Sequence, residues 1–504
     1  MSISTKTNIE TPHLPIRTGY LYINGEWRPA SNGMARSTIN PATEKAIAEV
    51  AEATEQDVED AIMAARKAYD DGPWPRMTGL ERQKILSRVA NLMEKYADEL
   101  ALCETLDMGK PIRFSKQIDA KLISELFHYY AGMASEIDGA TRLVAPPPDY
   151  TLKHVTIVRE PLGVIAAITP FNFPLLLAGS KLAPALAAGN TIVHKPASGT
   201  PLSAIKLAEI FQEAELPSGV YNLITGPGKR VGDQLVKHPA VNKIGFTGST
   251  EVGKNIIRNS ADTIIKKVTM ELGGKSANIV FADADLNAAI ANAFFGIFYN
   301  KGEICTAGSR LLVESSIHNQ VVDGLVDYLG TIKMGNPLDS EVVFGPLADE
   351  KQLKKVMQYV EYGKEDGATL RTGGERFYPE DSNGKGYYFL PTIFTDATEN
   401  MRIAQEEIFG PVLTVISFDT EKEAIRLANS TKYGLASAVH TQDIKKAFRV
   451  AKAMQAGTCW INTYNVFDVS IPFGGYKASG FGRECGPEAM ENYTHTKSIW
   501  VDLS

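Results

Sequence analysis

The apolar positions change their rhythm along the chain. In the first hundred residues they recur with the spacing of a helix. Val58, Ile62, Ala65 and Tyr69 share one helical face, and Ile85, Val89, Leu92, Met93, Tyr96 and Leu100 repeat the pattern. Thr54 with Asp57 three residues later reads as a reciprocal N-terminal cap. Residues 1–19 show no such period and read as a loose arm.

Near residue 160 the rhythm shortens. Apolar runs appear at 163–170 (GVIAAITP), 190–197 (NTIVHKPA), 220–226 (VYNLITG), 243–249 (KIGFTGS) and 266–274 (KKVTMELGG). Stretches of helical period separate them, among them TPLSAIKLAEIFQEA, where Thr200 is expected as the N-cap and Pro201 in the first turn. Apolar strands alternating with helices predict a parallel sheet covered on both faces. Such a doubly wound α/β unit binds its ligands beyond the carboxyl ends of the strands. A second α/β region begins at SANIVFADADL (276–286) and runs to about residue 470, and the proline-rich VAPPPDY (144–150) reads as a joint to an extended arm.

Composition narrows the function classes. With 504 residues and 44% hydrophobic content, the chain can bury large cores and predicts about three domains. The net charge is −7 and the 52 Lys and Arg are scattered, so no basic stripe offers a nucleic-acid or anionic-membrane surface. The four cysteines, at 103, 305, 459 and 485, form no CxxC redox or zinc pattern, so no metal is expected. Few thiols, no apolar leader and no run of membrane-spanning length predict a cytoplasmic protein.

The chemistry collects at the predicted strand ends. Asn172 follows the first strand, Lys195 the second, and the glycines 226, 228 and 232 the third. The FTGSTEVG loop follows the fourth strand and ELGG the fifth. GxGxxxG is not the dinucleotide fingerprint, and any one such loop reads as a turn. Several on one edge, with Ser249 and Thr250 opening a helix toward an anion, point to a dinucleotide site.

Cys305 sits in GEICTAGSR, among small and polar residues that leave its sulfur reachable. Cys103, Cys459 and Cys485 read as small buried side chains. From its neighbours alone Cys305 fits a nucleophile and a buried filler equally; as a nucleophile it needs nearby donors or a base. None of the eight histidines sits in a glycine-rich loop of active-site type. Glu271, before Gly273 and Gly274, is the better base, although a solvated strand-end charge would look the same.

Taken together and in order, TPFNFP, HKPA, FTGSTEVG, ELGGKSANIVF, GEICTAGSR, EEIFGPV and PFGGYKASGFGRE resemble the aldehyde dehydrogenase superfamily over about residues 20–500. The resemblance implies an α/β fold with three parts. Residues 1–139 and 160–270 would form a Rossmann-type dinucleotide-binding domain, and residues 271–485 a second α/β catalytic domain. Residues 140–159 and 486–504 would form a β-strand oligomerisation arm of a homodimer or homotetramer.

It also implies roles. Cys305 would attack the aldehyde, Asn172 with the Cys305 N–H would form the oxyanion hole, and Glu271 would activate water against a thioester. One donor in such a hole contributes ~3–4 kcal/mol. Lys181 and Glu484 would support the proton relay. NAD or NADP would lie against Ile168, Thr169, Pro170, Phe171, Lys195, Ser198, Gly228, Gly232, Phe246, Gly248, Ser249, Val252, Leu272, Glu407 and Phe409.

Departures from the family pattern shape the expectations. Ser198 stands where NAD-preferring members carry a glutamate for the ribose hydroxyls, so NADP is expected to be tolerated. Glu303 stands where many members carry glutamine and is expected to point away from the sulfur. The substrate pocket would be Phe173, Leu177, Tyr299 and Phe467, with Leu122 at its mouth. It would lack an arginine for a substrate carboxylate, and the tryptophans 27, 74, 460 and 500 are expected outside it. An apolar aliphatic or aromatic aldehyde follows, with a betaine- or amino-aldehyde as the alternative. Other readings are a cysteine-dependent esterase, a non-catalytic relative, which would be expected to lose Cys305, Asn172 or Glu271, and a CoA-acylating member, which Glu271 disfavours.

Overall fold

The computed structural model describes residues 12–503. The first eleven positions of the expected loose arm lie outside that range. Residues 12–19 form no helix or strand, yet they are anchored. Leu14 and Ile16 pack on the core, and the Arg17 N–H donates to Glu209 Oε1 at 2.7 Å.

The five short apolar runs form the centre of an eight-stranded sheet. In spatial order these strands are Tyr221–Leu223, Thr191–Lys195, Val164–Ile168, Lys243–Thr247 and Lys267–Glu271, all parallel. Leu21–Ile23 and Glu26–Arg28 extend one edge antiparallel, and Gly480–Phe481 closes the other. That last strand comes from the segment expected for the second unit, so the two units share a seam beside Glu271.

Helices cover both faces, which is why the central strands carry no polar alternation. Glu55–Asp70 and Thr250–Ser260 contribute to one apolar core. Gly79–Lys95, Ala120–Met133, Pro174–Ala187 and Leu202–Glu213 build the other. Thr54 and Asp57 cap the first helix reciprocally.

Two local expectations need correction. The apolar period through Ile85–Leu100 spans two helices, because Tyr96 leaves the helical region and its Oη donates to Glu213 Oε2 at 2.8 Å. Thr200 does not cap the helix Leu202–Glu213. Asp107 from another helix accepts the Leu202 N–H at 2.8 Å, and the Thr200 hydroxyl has no partner among the described residues. A buried carboxylate there satisfies an orphan N–H that a hydroxyl was expected to take.

The second sheet has seven strands in the order Thr369–Thr372, Thr392–Thr395, Val412–Phe418, Arg310–Glu314, Ala277–Val280, Ala436–His440 and Thr458–Ile461. Only its first strand is antiparallel to its neighbour. A third sheet pairs Thr494–Asp502 with Lys153–Pro161, and Lys153–Pro161 with Ala140–Val144. Leu143, Ile499, Trp500 and Val501 on this sheet are exposed.

Candidate active site

The first sheet reverses its winding between Val164–Ile168 and Lys243–Thr247, since the chain moves outward one way from the former strand and then returns to the latter. Strand-end loops diverge at such a point and leave a crevice. Here the crevice is a cavity of about 800 Å³. Every residue expected to hold a dinucleotide lines it except Ser198, whose Oγ donates instead to the Gly226 carbonyl at 2.7 Å.

Several side chains in the crevice are prepared for a polar ligand. Ser249 caps the helix Thr250–Ser260 by accepting the Val252 N–H. Lys195 is 4% exposed and its ammonium donates to the Pro196 carbonyl at 2.9 Å. Burial, with Arg36 nearby, pulls its pKa down to about 8. Glu407 accepts the Gly274 N–H at 2.9 Å, and burial raises its pKa. A Cβ at Gly273 would lie 2.2 Å from Glu407 Oε2, so any larger residue there would displace that carboxylate. The Phe409 ring stands edge-on to Phe171 at 5.6 Å.

A smaller cavity of about 160 Å³ adjoins the first. Leu122, Phe173, Leu177, Tyr299 and Phe467 all line it, as expected of a substrate pocket, and no arginine or lysine does among the described residues. Trp460 lines it too, which corrects the expectation that the tryptophans stay outside. The strand Thr458–Ile461 delivers its indole, a placement that depends on sheet order and not on any local motif. Asp468, Glu484 and Cys485 complete the polar part of the wall, so Cys485 is buried yet adjoins the cavity.

Cys305 lines both cavities and so stands at their junction. Burial and the charge of Glu271 push the thiol up to about 12. Asn172 is 2% exposed, lines the larger cavity, and donates from Nδ2 to the Glu303 carbonyl at 3.0 Å. The Glu303 carboxylate turns away, to Lys301 Nζ at 3.1 Å and the Ala348 N–H at 3.0 Å.

Glu271 ends its strand inside the larger cavity. It is 3% exposed, and neither carboxylate oxygen has a hydrogen-bond partner among the described residues. Burial first and the charge of Glu484 second raise its pKa well above the ordinary value, against Lys181 and Arg483. Lys181 lines neither cavity. It pairs with the Glu484 carboxylate and donates to Thr247 Oγ1 at 2.5 Å, while Ser180 Oγ donates to Glu484 Oε2 at 2.5 Å.

Some wall residues carried no sequence signal. Asp349 caps the helix Glu350–Glu365 and lines the larger cavity with Lys351, Gln352 and Lys355. The Gln352 amide also donates to the Phe409 carbonyl. The residues present fit a dinucleotide. The long crevice offers a helix N-terminus and a buried ammonium for phosphate, and a buried carboxylate for sugar hydroxyls.

A sequence profile of the aldehyde dehydrogenase family matches residues 27–499. A betaine aldehyde dehydrogenase of Bacillus subtilis is 48% identical over 481 residues, covering 95% of this chain and 96% of the relative. A mitochondrial benzaldehyde dehydrogenase of Antirrhinum majus is 44% identical over 492 residues, covering 98% and 90%. The solved structure of a betaine aldehyde dehydrogenase from Staphylococcus aureus, in complex with NAD+, superposes with a TM-score of 0.93 at 41% identity, covering 97% and 95%.

Proposed function

The chain belongs to the aldehyde dehydrogenase family, and we propose that it oxidises an apolar aromatic or aliphatic aldehyde to its acid with NAD+, NADP+ being tolerated. The observation that carries this reading is Cys305 at the junction of a dinucleotide-sized crevice and an aromatic pocket.

The residues divide the work. The Cys305 thiol gives up its proton to water in the crevice, and the sulfur adds to the carbonyl carbon. The new oxyanion takes hydrogen bonds from the Cys305 N–H and from one Asn172 Nδ2 hydrogen, while the other hydrogen stays on the Glu303 carbonyl. A bound nicotinamide dinucleotide supplies the acceptor for the hydride that leaves the tetrahedral carbon. Glu271 then takes a proton from the water that cleaves the thioester left on Cys305. A base whose pKa is raised by burial suits that step. The Glu484–Lys181 pair draws the proton onward from Glu271. Glu407 would hold a ribose, Lys195 and Ser249 the adenosine side, and Phe409 the nicotinamide ring.

A second reading concerns the substrate. Trp460, Tyr299 and Phe467 with the Asp468 carboxylate suit a cationic aldehyde, because a quaternary ammonium is attracted to aromatic faces. NADP tolerance is supported by Lys195 and Lys229 in the crevice wall and by the absence of an acid at 198. The exposed apolar residues Ile499, Trp500 and Val501 on the strand Thr494–Asp502 support a homodimer or homotetramer built through this sheet.

An initial-rate panel tests the substrate and cofactor readings, with benzaldehyde, hexanal, betaine aldehyde and succinic semialdehyde against each cofactor, and Cys305→Ala as the blank. Benzaldehyde and hexanal are expected to lead in kcat/KM. Betaine aldehyde in front would support the second reading, and a carboxylated aldehyde in front would overturn both.

A further inference from the structure

The chain enters the Cys305 loop through a turn that is left-handed at three consecutive residues. Asn300, Lys301 and Gly302 have φ of 46°, 59° and 73°. A non-glycine residue is disfavoured there because its Cβ crowds the following carbonyl oxygen. Such strain persists only where the surroundings over-determine it. The glycine is required by space as well, since a Cβ at Gly302 would lie 2.2 Å from the Gly410 carbonyl oxygen.

The contacts that hold the turn are buried side-chain ties. Asn300 Nδ2 donates to the carbonyls of Asn172 at 3.0 Å and of Glu303 at 3.2 Å. Lys301 Nζ donates to the Met108 carbonyl at 3.0 Å and pairs with Glu303 Oε2 at 3.1 Å. Glu303 Oε1 accepts the Ala348 N–H at 3.0 Å, one residue before the cap of the helix that walls the larger cavity. Both charged side chains are completely shielded from solvent. A pair so buried contributes little net stability, because desolvation offsets the attraction. What it does supply is geometry. Together the ammonium and the carboxylate join the Cys305 loop, the end of the helix Ala97–Met108 and the start of the helix Glu350–Glu365.

We propose that Lys301 and Glu303 are positioning residues for the reaction: their buried pair fixes the left-handed turn, and the turn sets the Asn172 amide against the Cys305 loop. The Glu303 carbonyl, which this turn presents, is the group that Asn172 Nδ2 grips at 3.0 Å. The proposal rests on the reading of Cys305 as the nucleophile.

The test uses the full chain with Lys301→Met, Lys301→Gly and Glu303→Gln. Glycine adopts the left-handed conformation without strain, so Lys301→Gly removes the ammonium and keeps the turn. The readouts are kcat, aldehyde KM, the NAD+ Kd, the melting temperature, and the rate of Cys305 alkylation by iodoacetamide located by mass spectrometry. We expect kcat to fall about tenfold or more, as misplaced reacting groups do. KM and Kd stay within about twofold, and alkylation speeds up because the sulfur loses its cover. The double variant Lys301→Gln/Glu303→Gln keeps a donor for Met108 and an acceptor for Ala348, and recovers most of kcat.

Folded variants with unchanged kcat and alkylation overturn the proposal. So does a lower melting temperature as the only effect, or failure of all three variants to fold. Absence of aldehyde turnover in the unmodified chain, with faster alkylation in the variants, would sink the functional reading and leave the positioning role standing.

Discussion

Lys181 and Glu484 stand 303 residues apart in the chain and form a buried ion pair, with Glu484 on the wall of the smaller cavity. The lysine side chain is wholly shielded and the glutamate is 4% exposed. Breaking a buried pair leaves one charge without compensation, which costs ~3–5 kcal/mol. Lys181→Met is therefore expected to lower unfolding stability by about that amount in denaturant titration. Lys181→Met/Glu484→Leu recovers part of the loss, because the stranded carboxylate is gone. A single variant as stable as the unmodified chain would show that the pair is not formed in solution.

Glu271→Gln separates acylation from hydrolysis. The variant is expected to give one enzyme equivalent of reduced nicotinamide in a burst and then turn over ~10²–10⁴-fold more slowly. Rapid-mixing absorbance measures both phases.

The same residue sets a pH dependence. Burial and Glu484 raise the Glu271 pKa, so its basic form appears only as pH climbs well past the ordinary 4.5. The steady-state rate of the unmodified enzyme should rise with pH on the alkaline side of that value. The glutamine variant should lack that limb of the profile.

Asn172→Ala removes a donor from the forming oxyanion and is expected to reduce kcat by ~10²–10³-fold with little change in KM. Steady-state kinetics across aldehyde concentration distinguish this from a binding defect, in which KM would rise and kcat would stay.

Glu104 makes a stability prediction. It accepts the Leu175 N–H at 3.2 Å at the start of the helix that carries Lys181, and its other oxygen has no partner among the described residues. Burial, then the charge of Asp119, raise its pKa to about 8. A folded-state pKa above the unfolded value means that the protonated acid stabilises the fold. That contribution is fully present below the ordinary 4.5 and is lost as pH rises through about 8. Melting temperature should fall across this window, and Glu104→Gln, which cannot ionise, should flatten the decline.

Legibility followed locality. Strand runs that end in chemistry-bearing loops were readable because both the strand and its loop lie within a dozen residues, as in 163–172 and 243–249. The capping box at Thr54 was readable for the same reason. Thr200 failed as a cap because its competitor, Asp107, arrives from 95 residues away. Trp460 was misplaced because nothing beside it says that Thr458–Ile461 lies at the edge of the second sheet, facing the pocket. Ser198 stands off the crevice wall because its hydroxyl found a backbone partner at Gly226, 28 residues away.

By itself the sequence determined the α/β alternation and the strand-end glycines, because each is encoded in contiguous residues through backbone period, while Cys305, Asn172 and Glu271 became candidates through their resemblance to family motifs. Only the tertiary structure decided that Cys305 lines two cavities at once, that Lys181 meets Glu484, and that Lys301 pairs with Glu303 beside the turn into the Cys305 loop. Those facts depend on which distant segments share a buried space, and in that space desolvation and close packing select partners that no local pattern records.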